Sequence, residues 1–203
     1  MSFREPLTPE LYAHYGPVTL PICKAEGRDG KKPMISGWQA LKIESYQNAW
    51  NGIQDKDSIG VLCGAASNIT VVDIDFKVKG KEDGANIKDF WDLAAKNRNA
   101  DADSFNTTYA KTPGGGIHLV FKNNEEVKQT QGLDIGGGAV IDIRSDGGYI
   151  VAEPTVNIET GKAYEWHRPV PRSPNMWFFP KAMPKWLLKA IASGGRKAAA
   201  PRA

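Results

Sequence analysis

The chain has only two cysteines, Cys23 and Cys63, far apart and outside any CxxC pair. A structural zinc site needs about four ligands, usually in closely spaced pairs, so no zinc is expected. Two thiols give no disulfide framework, and both are expected to be reduced and inert. Long apolar runs are also missing. No stretch approaches the ~20 residues of a membrane span, and Met1 to Pro6 lacks the apolar core of a secretory signal. The sequence therefore predicts a cytoplasmic protein with no membrane partner. Charge of one sign is in short supply: 26 Lys and Arg against 23 Asp and Glu leave a net +3 and a pI of about 8.8. That balance permits nucleic-acid binding without arguing for it. Histidine is scarce too, with three residues (His14, His118 and His167), so where each one falls is informative.

What is present is enough for one generous domain: 203 residues, 41% hydrophobic and 24% charged. Thr8-Pro9-Glu10 reads as a helix start and Gly16 as its stop. Val18 to Ile22 reads as a short edge strand, residues 26–33 as a loop, and Ser45 to Gly52 as a second short helix. Strands are expected at Ile59 to Leu62 and Ile69 to Phe76, with Gly64 to Asn68 as a hairpin connection. Asn86 to Lys96 has helical spacing, placing Ile87, Phe90, Trp91 and Ala94 on one stripe. Further strands are expected at Phe105 to Lys111, Ile117 to Phe121, Ala139 to Arg144, Tyr149 to Ala152 and Ala163 to His167, and a last helix at Pro184 to Ala192. Residues 193–203 lack an apolar pattern and read as a flexible linker or tail after a domain spanning 1–192. Many connections are too short for a crossover helix, which predicts an α/β (α+β) fold with mixed or antiparallel strands.

Three segments carry candidate chemistry. In Val71-Val72-Asp73-Ile74-Asp75-Phe76, side chains two apart share a strand face, so Asp73 and Asp75 project together. Val71 shares their face while Val72, Ile74 and Phe76 fill the other, as in a strand that emerges from a core into a cleft. Paired carboxylates repel each other, and a divalent ion removes that cost. Mg²⁺ and Mn²⁺ both suit oxygen ligands. In Thr112-Pro113-Gly114-Gly115-Gly116-Ile117-His118, the glycines allow backbone N–H groups to approach an anion, and His118 stands at the start of the next strand. The bland alternative is a glycine-rich hairpin beside an ordinary histidine. In Ala139-Val140-Ile141-Asp142-Ile143-Arg144, Asp142 and Arg144 share a face. They form either a simple ion pair or a third metal ligand beside a phosphate or DNA contact. Arg28, Lys31 and Lys32 form one basic cluster, and Lys77, Lys79 and Lys81 another.

The order VVDIDF, then GGGIH, then AVIDIRSDGGYIVAEP resembles the bifunctional DNA primase/polymerase (prim-pol) domain of the archaeo-eukaryotic primase superfamily. Pro17 to Pro21 with Lys31-Lys32-Pro33 and Gly37-Trp38 resembles that family's opening. Ile59 to Gly64 resembles its glycine-bounded strand, and Tyr164-Glu165-Trp166 its closing strand, so the resemblance spans roughly residues 15 to 170. It implies a small α/β N-terminal part packed on a modified RNA-recognition-motif-like sheet. It also implies that Asp73, Asp75 and Asp142 are catalytic acids holding two Mg²⁺ or Mn²⁺ ions, with His118 gripping the nucleotide. Gly114, Gly115, Gly116, Lys111 and Arg144 are the accompanying candidates for nucleotide contacts, and Lys31 and Lys32 for phosphate or template contacts. His118 is expected on the face of the acids, roughly a triphosphate's length from the ions.

Two departures stand out. Gly116 occupies the place of a serine common in the family, and Glu153-Pro154-Thr155 replaces a double proline and serine. The implied activity is DNA-directed nucleotidyl transfer, as a DNA polymerase or primase in plasmid, phage or mobile-element replication. Single-stranded DNA template, primer and nucleoside triphosphates are the implied partners, with a helicase domain or protein downstream. Two other readings stay open on the residues alone. One is a metal-dependent nuclease or phosphohydrolase using the same acids. The other is a non-catalytic nucleic-acid-binding initiator module; an initiator that nicks DNA would need a nucleophilic tyrosine, and Tyr149 is the one close to the motifs.

Overall fold

The computed structural model describes residues 7–25, 29–97, 106–167 and 178–197. The expected first helix is α1, Pro9–His14: the Thr8 hydroxyl accepts the Leu11 N–H at 3.2 Å, and the chain turns away at Gly16 with φ +103°. Three more segments lead to the site. They are β1 (Thr19–Pro21), a 3₁₀ helix over Ile43–Trp50, and β2 (Ile59–Leu62). The 3₁₀ helix replaces the α-helix expected from Ser45, because eight residues rich in Ser, Tyr, Asn and Trp favour no long α-helix. Then come β3 (Ile69–Ile74), α2 (Ala85–Lys96), β4 (Tyr109–Lys111), β5 (Ile117–Lys122), β6 (Thr130–Asp134), β7 (Val140–Arg144), β8 (Tyr149–Ala152), β9 (Glu165–His167) and α3 (Lys185–Lys197).

The strands form two antiparallel sheets, a small one in the order β1-β2-β8 and a large one in the order β6-β7-β3-β5-β4-β9. This is an α+β fold. The large sheet is covered on both sides, and strand alternation decides what each side holds. Val72, Ile74, Leu119, Phe121, Ile141 and Ile143 face α2 and α3 and pack on Phe90, Met183, Trp186 and Leu187. Ile69, Val71, Ala110, Val120 and Trp166 face the small sheet and pack on Ile59, Val61, Ile150 and Ala152.

Several expectations need correction. The strands at Ile59 and Ile69 do not form a hairpin. Gly64 and Ile69 exchange backbone hydrogen bonds at 2.6 and 3.2 Å, but β2 and β3 then diverge into different sheets. The small sheet is not an N-terminal unit, since β8 completes it from late in the chain. Strand β6 was not expected at all, for Thr130-Gln131-Gly132-Leu133-Asp134 lacks an alternating apolar pattern. Helix α3 continues to Lys197, past the point where a tail was expected to begin. Gly194 is buried there, and a Cβ would lie only 2.4 Å from the Asp134 carbonyl oxygen. Close packing on β6 thus overrides glycine's poor helix propensity. Phe105, the expected start of β4, and Arg28, in the first basic cluster, lie outside the described residues.

Candidate active site

Register brings the acids together. Asp73 on β3 stands directly opposite His118 on β5 and opposite Asp142 on β7, while Val71 pairs with Arg144 and Val120. Residues directly opposite in an antiparallel sheet share a face, so Asp73, His118, Asp142 and Arg144 all point toward the small sheet. Their neighbours Val71 and Val120 are fully buried beneath that sheet. One step further along β3 the cover gives way to a cleft of about 290 Å³ lined by Asp73, His118, Arg144, Lys31, Tyr149 and Tyr164 among others.

Asp75 lies one residue beyond the end of β3, where β3–β7 pairing has stopped. Buried Asn86, near the start of α2, replaces the missing ladder. Its amide donates to the Asp75 carbonyl at 3.1 Å and the Val140 carbonyl at 2.9 Å, and its side-chain oxygen accepts the Val140 N–H at 2.8 Å. The two chain ends that carry Asp75 and Asp142 are thereby tied together. Burial, then repulsion from Asp73 and Asp142, pushes the Asp75 carboxyl above its ordinary value even though its tip reaches solvent.

Asp142 is held on both oxygens. Oδ1 accepts the Gly132 N–H at 2.7 Å, and Oδ2 accepts from Arg144 Nη2 at 2.8 Å. Gly132 has φ +63° and falls where the β6–β7 register shifts between Thr130 and Leu133. The bulge turns its amide onto the carboxylate, as bulges beside functional sites commonly do. The same Arg144 nitrogen stands 3.6 Å from Asp73 Oδ2. On the other side, His118 Nε2 lies 3.5 Å from Asp73 Oδ1. His118 thus sits against the acids rather than a triphosphate's length away, because the β3–β5 register places it directly across from Asp73. Burial lowers its proton affinity, opposed by Asp73 and assisted by Arg144 and Lys31. Its ring stacks on Tyr164 with centroids 6.0 Å apart, and its buried Nδ1 has no hydrogen-bond partner among the described residues.

The other candidates fall elsewhere. The Gly115 N–H donates to the Thr112 carbonyl and the Gly116 N–H to the Thr112 hydroxyl, both at 2.9 Å. Those amides close the β4–β5 turn, and Gly115 packs on Phe76, so the loop is a hairpin in which the Gly115 and Gly116 amides are already engaged. Lys111 is exposed at the end of β4, opposite Ile117 and Glu165, and does not line the cleft. Lys77 pairs with Asp83 at 3.2 Å, and Lys81 with Asp89 at 2.6 Å and with the Gly138 carbonyl. Tyr149 donates its hydroxyl to the Lys31 carbonyl at 2.5 Å, and burial raises its pKa. Both effects make it a poor nucleophile. The cleft also gathers Trp38, Gln129 and Tyr164, which had drawn attention only as parts of motifs or not at all. Burial and the nearby acids push the Tyr164 phenol up to about 12.

The donor chemistry suits a hard divalent ion, with three carboxylates on adjoining strand ends and no sulfur among them. As the side chains stand, no group of three His, Cys, Asp or Glu among the described residues is arranged to hold one. Arg144 supplies the positive charge between Asp142 and Asp73 instead.

These features define an α+β protein whose acidic cluster opens into a cleft between two antiparallel sheets. The family model for the bifunctional DNA primase/polymerase N-terminal domain matches residues 10–186. The chain belongs to that family. No curated protein matches it. No helix among the described residues is long and apolar enough to cross a membrane.

Proposed function

We propose that the chain carries out template-directed nucleotidyl transfer, extending a primer on single-stranded DNA with nucleoside triphosphates in the replication of a plasmid, phage or other mobile element. The supporting observation is the register that sets Asp73 opposite both Asp142 and His118, with Asp75 beyond it on the same side. Asp73, Asp75 and Asp142 are the residues that hold Mg²⁺ or Mn²⁺. When bound there, the two ions would supply polarisation of the primer 3′-hydroxyl and neutralisation of charge on the departing pyrophosphate. His118, whose proton affinity burial lowers, presents an imidazole in the cleft for the nucleotide. Arg144 and Lys31 bring fixed positive charge to the same cleft, where phosphates bind best to a planar guanidinium. Trp38, Tyr149 and Tyr164 add aromatic surface of the kind on which bases stack.

The test is primer extension by the purified chain with Mg²⁺ and Mn²⁺ supplied separately. Incorporation that requires triphosphates and disappears in Asp73→Ala supports the proposal. Degradation of the DNA without triphosphates would instead identify a nuclease.

A further inference from the structure

Arg144 stands where a cation is needed. One nitrogen reaches both Asp142 Oδ2 and Asp73 Oδ2, at 2.8 and 3.6 Å, in a setting where all three side chains are largely buried. The second oxygen of Asp142 is fixed by the Gly132 amide. The carboxylate is therefore oriented before any ion arrives, and its remaining capacity is turned toward the guanidinium. Without that charge, Asp73 and Asp142 would face each other directly across β3 and β7, a costly placement for two partly buried anions.

We propose that Arg144 is an internal counter-ion, displaced from the carboxylates when divalent metal binds and taken up by the triphosphate. This rests on the nucleotidyl-transfer reading and adds to it a form of regulation. A guanidinium and a divalent ion compete for the same oxygens, so metal alone binds against the Arg144 contacts. A triphosphate gives Arg144 an alternative partner with matching fork geometry. Metal and nucleotide then favour each other's binding, and by linkage the effect is reciprocal. The carboxylates engage metal fully only when there is a nucleotide to act upon. Lys31 has a different place: it lines the cleft but makes no ion pair with the acids among the described residues.

Removing the guanidinium has opposite consequences under this proposal and under a purely structural role. The measurement is Mn²⁺ binding followed by the paramagnetic resonance of the free ion, with and without a non-hydrolysable deoxynucleoside triphosphate, on wild type and Arg144→Gln. Wild type is expected to bind Mn²⁺ about tenfold more tightly with the analogue present, within the usual range of coupling between sites. Arg144→Gln is expected to bind Mn²⁺ more tightly than wild type without nucleotide and to lose most of the coupling. In chelator it should also melt at a lower temperature, since Asp73 and Asp142 then lack a counter-charge. Arg144→Lys should fall between the two, because lysine keeps the charge but not the fork, and it serves as the test if the glutamine variant does not fold. Equal or weaker Mn²⁺ binding by a folded variant, with wild-type binding intact, overturns the counter-ion role and leaves nucleotidyl transfer standing. Failure of wild type to bind Mn²⁺ under either condition overturns both.

Discussion

The two faces of the large sheet are made from the same strands and have opposite fates. Toward the helices, Val72, Ile74, Leu119, Ile141 and Ile143 form a continuous apolar layer closed by Phe90, Trp186 and Leu187. Toward the small sheet, the layer begins the same way with Ile69, Val71 and Val120 but changes to Asp73, His118, Asp142 and Arg144 where the covering sheet ends. The helix-side face gives cohesion. The opposite face uses that cohesion to hold like charges close together, an arrangement a less firmly supported sheet would relax. A site of this kind forms where a well-packed face outruns its cover.

The sharpest test sets one residue from each face side by side. Asp73→Ala should reduce nucleotide incorporation by about a thousandfold or more, equivalent to several kcal/mol of transition-state stabilisation, while its far-UV circular dichroism and cooperative melt are retained. Phe121→Ala, fully buried on the helix side, should cost about 3–5 kcal/mol of stability, read by urea unfolding. If Asp73→Ala unfolded the protein as severely, the division between the faces would fail.

A smaller effect is expected at the joint between them. Asn86→Ala leaves the Val140 N–H and two carbonyls without their partner, so a loss of about 1–3 kcal/mol is expected. Incorporation should also fall, because Asp75 loses its tie to β7. A melt at the wild-type temperature with activity unchanged would remove Asn86 from the site's support. Asp75→Asn relieves like-charge crowding. It should raise the melting temperature in chelator by a few degrees while lowering incorporation, and a lower melting temperature would show that the acids do not strain one another. Lys77→Ala, on an exposed ion pair, should change stability by less than about 0.5 kcal/mol and leave DNA affinity unaltered in a gel-shift titration.

The sequence revealed this arrangement unevenly. The two faces of β3 were legible because Val72 and Ile74 continue one apolar face while the other changes abruptly from Val71 to Asp73 and Asp75. The convergence of Asp73, His118 and Asp142 was expected only through the order of the three motifs; no local pattern states which strands are neighbours. The glycine turn was legible only in part, because glycines permit both a tight hairpin and a phosphate loop, and the contacts by which Thr112 closes the turn are not carried by composition. Strand β6 was missed for a related reason. Its Gly132 lowers strand propensity, yet it is that glycine's positive φ that turns an amide onto Asp142. Asn86 looked like an ordinary residue at a helix start, and its role depends on residues more than fifty positions away.

The late return of β8 to the small sheet has a consequence for how the chain can be divided. Two of the backbone's three passages between the sheets lie at Gly64 to Asn68 and at Ser145 to Gly148, the third joining β8 to β9. The two passages are stitched together, the Ala65 N–H donating to Asp146 Oδ1 at 2.7 Å and the Cys63 N–H to the Gly148 carbonyl at 2.9 Å. The strand bearing Asp142 and the strand forming the opposite wall of the cleft are consecutive, separated by a single short turn. The spacing of the two walls is therefore a property of covalent connectivity, like the gauge of a calliper riveted at one end. A fragment ending after β7 would keep every acid yet lose the wall that faces them, and it would leave β2 as a bare edge open to pairing with another chain. A unit moved into another protein with its cleft intact must keep β1 through β8 together and, beyond them, Tyr164, which lines the same cleft.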